Sequence, residues 1–144
     1  MLSNTSKYAI RAMIYLAMNA QNNTRIGIKK IADDLKIPSP FLAKILQLLA
    51  RHKILTSTKG PNGGFGIGAD PYKITLYKIV TLMEGDDVFE KCLISLRICN
   101  EENTPCAVHE KYETIRKSIR TLFNEMNLGI LVKDIKTRNH FLAI

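Results

Sequence analysis

The chain has 144 residues, 46% of them hydrophobic and 24% charged, with 21 Lys/Arg against 13 Asp/Glu. This excludes a disordered or fibrous chain and allows one modest domain with an appendage. No apolar run reaches the roughly 18 residues of a membrane helix, and three cysteines, an odd number, argue against a closed disulfide framework. The charge is unevenly placed. Residues 1–80 carry 12 Lys/Arg and 3 Asp/Glu, whereas residues 81–144 carry 9 and 10. The positive excess therefore sits in the first half, where a polyanion would bind. The apolar stretch Ala12 to Ala20 follows Lys7 and Arg11, but it is short and spaced as one helix face, unlike a signal peptide. A cytoplasmic chain with reduced thiols is expected.

Ser3, Asn4 or Thr5 can cap a first helix running to about Ala20, with Ala9, Met13, Leu16, Ala17 and Ala20 as its buried stripe. After a polar loop, Ile28, Ile31 and Leu35 mark one face of a short second helix, which Ile37-Pro38 interrupts. Ser39 can cap a third helix with Pro40 at its first position. Leu42, Ile45, Leu46 and Leu49 form its buried stripe, leaving Ser39, Ala43, Lys44 and Gln47 outward. Two short helices joined by a tight turn form a helix-turn-helix, whose second helix can enter a DNA major groove. A hairpin follows, Ile54 to Thr58 and Phe65 to Gly68, around the tip Gly60-Pro61-Asn62-Gly63-Gly64. This order is that of a winged helix, so residues 1–84 read as a DNA-binding domain. Thr75 can cap a fourth helix through Glu84 that buries Ile79, Leu82 and Met83.

Residues 88–106 lack a clean period and contain all three cysteines, so 85–106 read as a cysteine-containing cluster loop. From about Ala107 to Met126, the residues Val108, Tyr112, Ile115, Ile119, Leu122, Phe123 and Met126 recur at steps that suit a helix roughly 30 Å long. Such a helix is too long for a small winged helix to cover. A homodimer through residues 107–126 is expected, the alternative being packing back on its own domain. A further short helix is expected from Leu128 to Asp134, so that 107–144 form the dimerisation helix and tail.

Cys92, Cys99 and Cys106 are spaced C-x6-C-x6-C, and His109 follows three residues later. Thiolates and an imidazole suit zinc or an iron–sulfur cluster, and long gaps can wrap around a cluster; incidental buried thiols are the alternative. His52 and His140 have no such neighbours and read as surface residues. Catalysis is not expected. The glycine-rich tip is no phosphate loop, and neither a G-x-S-x-G elbow nor an H-E-x-x-H pair occurs. The acid pairs Asp33-Asp34, Asp86-Asp87 and Glu101-Glu102 read as solvated charges.

The whole chain resembles the Rrf-type winged-helix transcriptional regulators of bacteria, the group holding IscR, NsrR and CymR. The resemblance begins at Leu2-Ser3 and Lys7-Tyr8-Ala9-Ile10-Arg11-Ala12 and reaches Leu128-Gly129-Ile130-Leu131-Val132. Lys59-Gly60-Pro61-Asn62-Gly63-Gly64-Phe65 is similar to the family's R-G-P-x-G-G-Y wing, and Cys106-Ala107-Val108-His109 to its C-P-L-H. Three departures stand out. In the wing Lys59 replaces the usual arginine and Phe65 the tyrosine, in the recognition helix Phe41-Leu42-Ala43-Lys44 replaces a common Y-L-E-Q, and each cysteine gap is one residue longer than in IscR-like members.

The resemblance implies a mainly α fold with a small β-hairpin wing, acting as a homodimeric regulator on a double-stranded DNA operator and not at a membrane. In the major groove, Ser39, Phe41 and Lys44 would face bases. Lys59, Gly60, Asn62 and Gly63 would place the wing, and Lys7, Tyr8 and Lys29 would meet phosphates. An iron–sulfur cluster on Cys92, Cys99, Cys106 and His109 would switch operator affinity. A two-iron, two-sulfur cluster is favoured, because Lys7 and Tyr8 occupy the region where four-iron members place an acidic ligand; a four-iron cluster is the alternative. Two other readings stay open: a cluster-free member controlled by thiol oxidation or a protein partner, and a structural zinc module for protein contacts.

Overall fold

The structure, a computed structural model, describes residues 2–20, 23–98 and 105–138. Its helices are α1 (Asn4–Asn19), α2 (Ile28–Leu35), α3 (Ser39–Arg51), α4 (Leu76–Glu84), α5 (His109–Glu125) and α6 (Leu128–Arg138). Its hairpin pairs β1 (Leu55–Thr58) with β2 (Gly64–Ile67), antiparallel and in the register Leu55↔Ile67 to Thr58↔Gly64.

α1 begins where the Ser3 side chain accepts from the Ser6 amide, and it is the central helix of the fold. It touches α2, α3, α4, α6 and β2. A helix covered on several sides has no single buried stripe. Besides Ala9, Met13 and Leu16, the residues Ser6, Ala12 and Ile14 are buried, whereas Ala17 and Ala20 are only partly covered. Leu42, Leu46 and Leu49 from α3, Ile31 from α2, Ile79 from α4 and Leu128 from α6 complete this core. Full burial of each leucine contributes about 1.5–3 kcal/mol.

Two boundaries differ from the sequence reading. α2 ends at Leu35 because Lys36 turns left-handed (φ 54°), one residue before the Ile37-Pro38 break. Ser39 does not cap α3: Pro38 holds the cap position without a side-chain bond, and Ser39 is already helical. The predicted cap of α4 holds, with the Thr75 hydroxyl accepting from the Lys78 amide. α4 buries Ile79, Val80 and Thr81, while Leu82 and Met83 are partly covered.

α5 packs back on its own domain along one face. Phe123 meets Phe89 at 5.3 Å between ring centroids, and Phe89 stacks on Tyr77 at 5.1 Å, a small second core that includes Val80. Arg116 Nη1 donates to the Glu90 carbonyl at 2.7 Å, and Arg120 pairs with the Glu90 carboxylate. The buried residues of α5 are therefore His109, Arg116 and Phe123, seven apart, while Ile115 (56%) and Leu122 (53%) stay exposed on another face. The apolar series of residues 107–126 is thus divided between two faces. α6 returns to α1, and the junction before it is tied to the start of α4 by the Leu76 amide to the Met126 carbonyl (2.9 Å) and the Leu128 amide to the Ile74 carbonyl (3.0 Å).

Candidate nucleic-acid interface and cysteine centre

Helices α2 and α3 form the helix-turn-helix, and α1 braces it at the C-terminal end of α2. Arg11 Nη2 donates to the Leu35 carbonyl at 2.8 Å, placing a cation at the C-terminal end of α2, where the helix dipole favours it. The same guanidinium lies 6.0 Å from the Tyr8 ring centroid, and Tyr8 meets Phe41 edge-on at 6.4 Å. One residue earlier in α2, the Tyr15 hydroxyl donates to Asp34 at 2.5 Å and Lys30 Nζ donates to it at 2.9 Å. Burial, then the hydrogen bond and charge of Asp34, push Tyr15 up to about 12. Hydrogen bonds from Tyr15 and Lys30 hold Asp34 below the usual carboxylate range. Asp34 is thus a brace, not merely the solvated charge that its pairing with Asp33 suggested.

The expected contact residues are distributed as follows. Lys7, Lys29, Ser39, Phe41 (53%) and Lys44 are exposed, as are Lys59, Gly60 and Asn62 at the hairpin tip. Tyr8 is half-buried against the core, and Gly63 is half-buried inside the turn. The glycines at the tip have a nearer cause than approach to DNA. Gly64 adopts φ +147°, and a Cβ there would stand 2.5 Å from the carbonyl carbon and oxygen of Ile26; one on Gly63 would stand 2.2 Å from the Thr58 carbonyl oxygen. The hairpin itself requires them.

Sequence reasoning missed Arg25, which lies beside the wing. Its Nε donates to Thr58 Oγ1 at 3.1 Å and its Nη1 to Thr56 Oγ1. Next to it, Ile26 exchanges both backbone bonds with Phe65, at 2.9 and 2.8 Å. The sequence signal was the T-x-T step, which puts Thr56 and Thr58 on one strand face.

The cysteine segment begins after α4. Cys92 and Cys106, fourteen residues apart, bring their sulfurs to 3.3 Å, both half-buried. The Cys92 amide donates to the Arg97 carbonyl at 3.2 Å, so a narrow loop leaves Cys92 and begins to return. The His109 amide donates to the Cys106 carbonyl at 2.9 Å, which starts α5 one turn after Cys106, and His109 is buried, 9% exposed as a residue. Cys99 lies outside the described residues, as does His140; His52 is exposed at the end of α3. Among the described residues no cluster of three or more metal-ligating side chains is present. A 250 Å³ cleft lies beside Cys92, between Leu2, Glu84, Phe89, Tyr112 and Ile119. At its rim Glu84 accepts from the Ser3 amide (2.9 Å), the Ser3 hydroxyl (2.8 Å) and the Ser6 hydroxyl, joining the end of α4 to the start of α1. Among the described residues no helix is long and apolar enough to cross a membrane.

Comparison with known proteins agrees with this geometry. The model of the Rrf2 family, described as iron-dependent transcriptional regulators, matches residues 2–134. A protein of Aquifex aeolicus (strain VF5), provisionally named an HTH-type transcriptional regulator, is 37% identical over 134 residues, 92% of this chain and 89% of that one. The HTH-type transcriptional regulator IscR of Vibrio campbellii is 26% identical over 133 residues, 92% of this chain and 77% of its own. In fold, the chain is similar to T. potens IscR (TM-score 0.77, 21% identity, 99% of this chain and 93% of that one). It is also similar to CymR, the global cysteine regulator of B. subtilis (TM-score 0.74, 22% identity, 92% and 96%). The chain belongs to the Rrf2 family of winged-helix transcriptional regulators, which bind DNA and are not enzymes.

Proposed function

We propose that this regulator works as a homodimer whose operator affinity is switched by an iron–sulfur cluster held by Cys92, Cys99, Cys106 and His109, two irons and two sulfides being favoured. The observation that carries the reading is the 3.3 Å approach of the Cys92 and Cys106 sulfurs, with His109 one helical turn beyond. Two thiolates on one tetrahedral metal at about 2.3 Å stand roughly 3.8 Å apart, so the pair fits with a shift of half an ångström. Imidazole and thiolate together form a known donor set for a two-iron cluster. The group would supply a redox- and iron-sensitive tie between the cysteine loop and α5. The family's description as iron-dependent supports this.

The chain's own residues carry the rest. Arg116 and Arg120 hold α5 to Glu90, two residues before Cys92, so the loop and the helix move together. The exposed side of α5, with Ile115 and Leu122, offers the face for a second copy. The inclination of α5 would then set the separation of two α3 helices that must meet half-sites about 34 Å apart. Ser39, Phe41 and Lys44 would face base edges, and the exposed aromatic ring of Phe41 suits a thymine methyl. Lys59, Gly60, Asn62 and Gly63 would lay the wing on the duplex, while Lys7, Tyr8 and Lys29 would meet phosphates.

The same sulfur approach favours a second reading, in which the thiols themselves are the switch. A disulfide needs about 2.05 Å between sulfurs. Hydrogen peroxide could draw both thiol hydrogens and leave a Cys92–Cys106 bond and two waters. The deciding experiment is the visible spectrum of protein purified without oxygen, with iron and sulfide assays. Bands between about 320 and 460 nm and two irons per chain are expected, lost in Cys99→Ala, in keeping with thiolate-held Fe–S clusters. Four irons would keep the switch and replace the cluster type. Iron-free, colourless protein that loses two mass units with peroxide would favour the thiol reading. Stoichiometric zinc with no DNA affinity would leave a structural module.

A further inference from the structure

We infer that Arg25 is a positioning residue for DNA binding, setting the wing against the helix-turn-helix from the linker that joins α1 to α2. The hairpin presents Thr56 and Thr58 on one strand, and the register places Gly66 and Gly64 opposite them. Two hydroxyls therefore face two positions without side chains, and the linker fills the space. Arg25 donates its Nη1 and Nε to the two threonine hydroxyls. A Cβ on Gly66 would stand 2.7 Å from Arg25 Nη1 and 3.3 Å from the Thr24 carbonyl oxygen. Next along the chain, Ile26 pairs with Phe65 through both backbone bonds, so the linker is bridged at one residue to the free edge of β2. Gly27 then caps α2, which leads into the recognition helix α3. A two-stranded ribbon is marginal on its own. Here the fork of one guanidinium ties it to the segment from which the helix-turn-helix departs. The wing tip and α3 are thereby held at one mutual angle, as simultaneous contact with two features of a duplex requires.

This inference rests on the reading that the wing touches DNA, and the test separates the two. The probe is a duplex selected by the wild-type protein from a random-sequence library, with affinities measured at one salt concentration. Arg25→Ala is expected to weaken binding about tenfold, the effect of losing two hydrogen bonds of ordinary net strength. Arg25→Lys is expected to lose nearly as much, because lysine keeps the charge without the fork. The Thr56→Val/Thr58→Val pair should give the same loss, and combining it with Arg25→Ala should add nothing. Exchange of the Phe65 amide should quicken while the helical spectrum is retained. Full affinity in Arg25→Lys would overturn the inference and make Arg25 a phosphate contact. Additive losses, or threonine variants of full affinity, would overturn it too. Lys59→Ala/Asn62→Ala serves as the control: if it binds normally, the wing reading itself fails and takes this inference with it. If that control binds weakly while Arg25→Ala binds normally, only the inference about Arg25 falls.

Discussion

Glu84 shows how much one carboxylate can organise. It is the last residue of α4, yet it accepts three hydrogen bonds at the start of α1, from Ser3 twice and from Ser6. Burial pushes it up, but the Ser6 hydroxyl and the Ser3 amide and hydroxyl outweigh that and hold it below the ordinary glutamate range. A carboxylate depressed in the folded state adds stability above its unfolded value, about 4.3. That stability is lost as pH falls through the folded value. Glu84→Gln should therefore lower the denaturant midpoint at pH 7, with the gap to wild type closing as pH falls below about 4; a gap independent of pH would show that the ionised form does not matter. Lys44 belongs at this scale as well. It is exposed on α3, and Lys44→Ala should weaken binding to a selected duplex by about 1–3 kcal/mol if it reads a base. An equal loss on random DNA would reduce it to a phosphate contact. Both positions stood in plain view in the sequence, but only Lys44 was legible. Its place on the outward face follows from helical periodicity within one element, whereas the partners of Glu84 lie about eighty residues away.

Among the elements, the wing has least freedom at its glycines. Gly64→Ala would force a Cβ into the Ile26 backbone at 2.5 Å with φ +147°. Neither neighbour is a flexible side chain that could yield, so a loss of about 1–3 kcal/mol is expected. Thermal unfolding would measure it, and an unchanged midpoint would mean the Ile26–Phe65 pairing is not formed in solution. The helix-turn-helix was legible because proline and the i, i+3, i+4 pattern speak within a dozen residues. The left-handed Lys36 and the unused cap at Ser39 were not. Both follow from burying Ile37 between α2 and α3, where it is 2% exposed, and local propensity does not contain that packing.

For the molecule as a whole, α5 has the largest consequence. One face is committed to Phe89 and Glu90, and the exposed Ile115 and Leu122 lie seven residues apart, one heptad, on another. Ile115→Asp/Leu122→Asp should convert a species of twice 16.3 kDa into the single chain in light scattering, with the helical spectrum retained. A variant that stays dimeric would move the interface elsewhere. The sequence by itself determined the winged-helix order, the basic first half, the outward face of α3 and the recurrence of cysteines, because each is written in periodicity, composition or spacing along one stretch. Only the tertiary structure decided which face of α5 is buried, that Cys92 and Cys106 meet, and that Arg25 and Glu84 clasp distant elements. Those contacts join residues from fourteen to about eighty positions apart, and such pairs come together only when the core around α1 has packed.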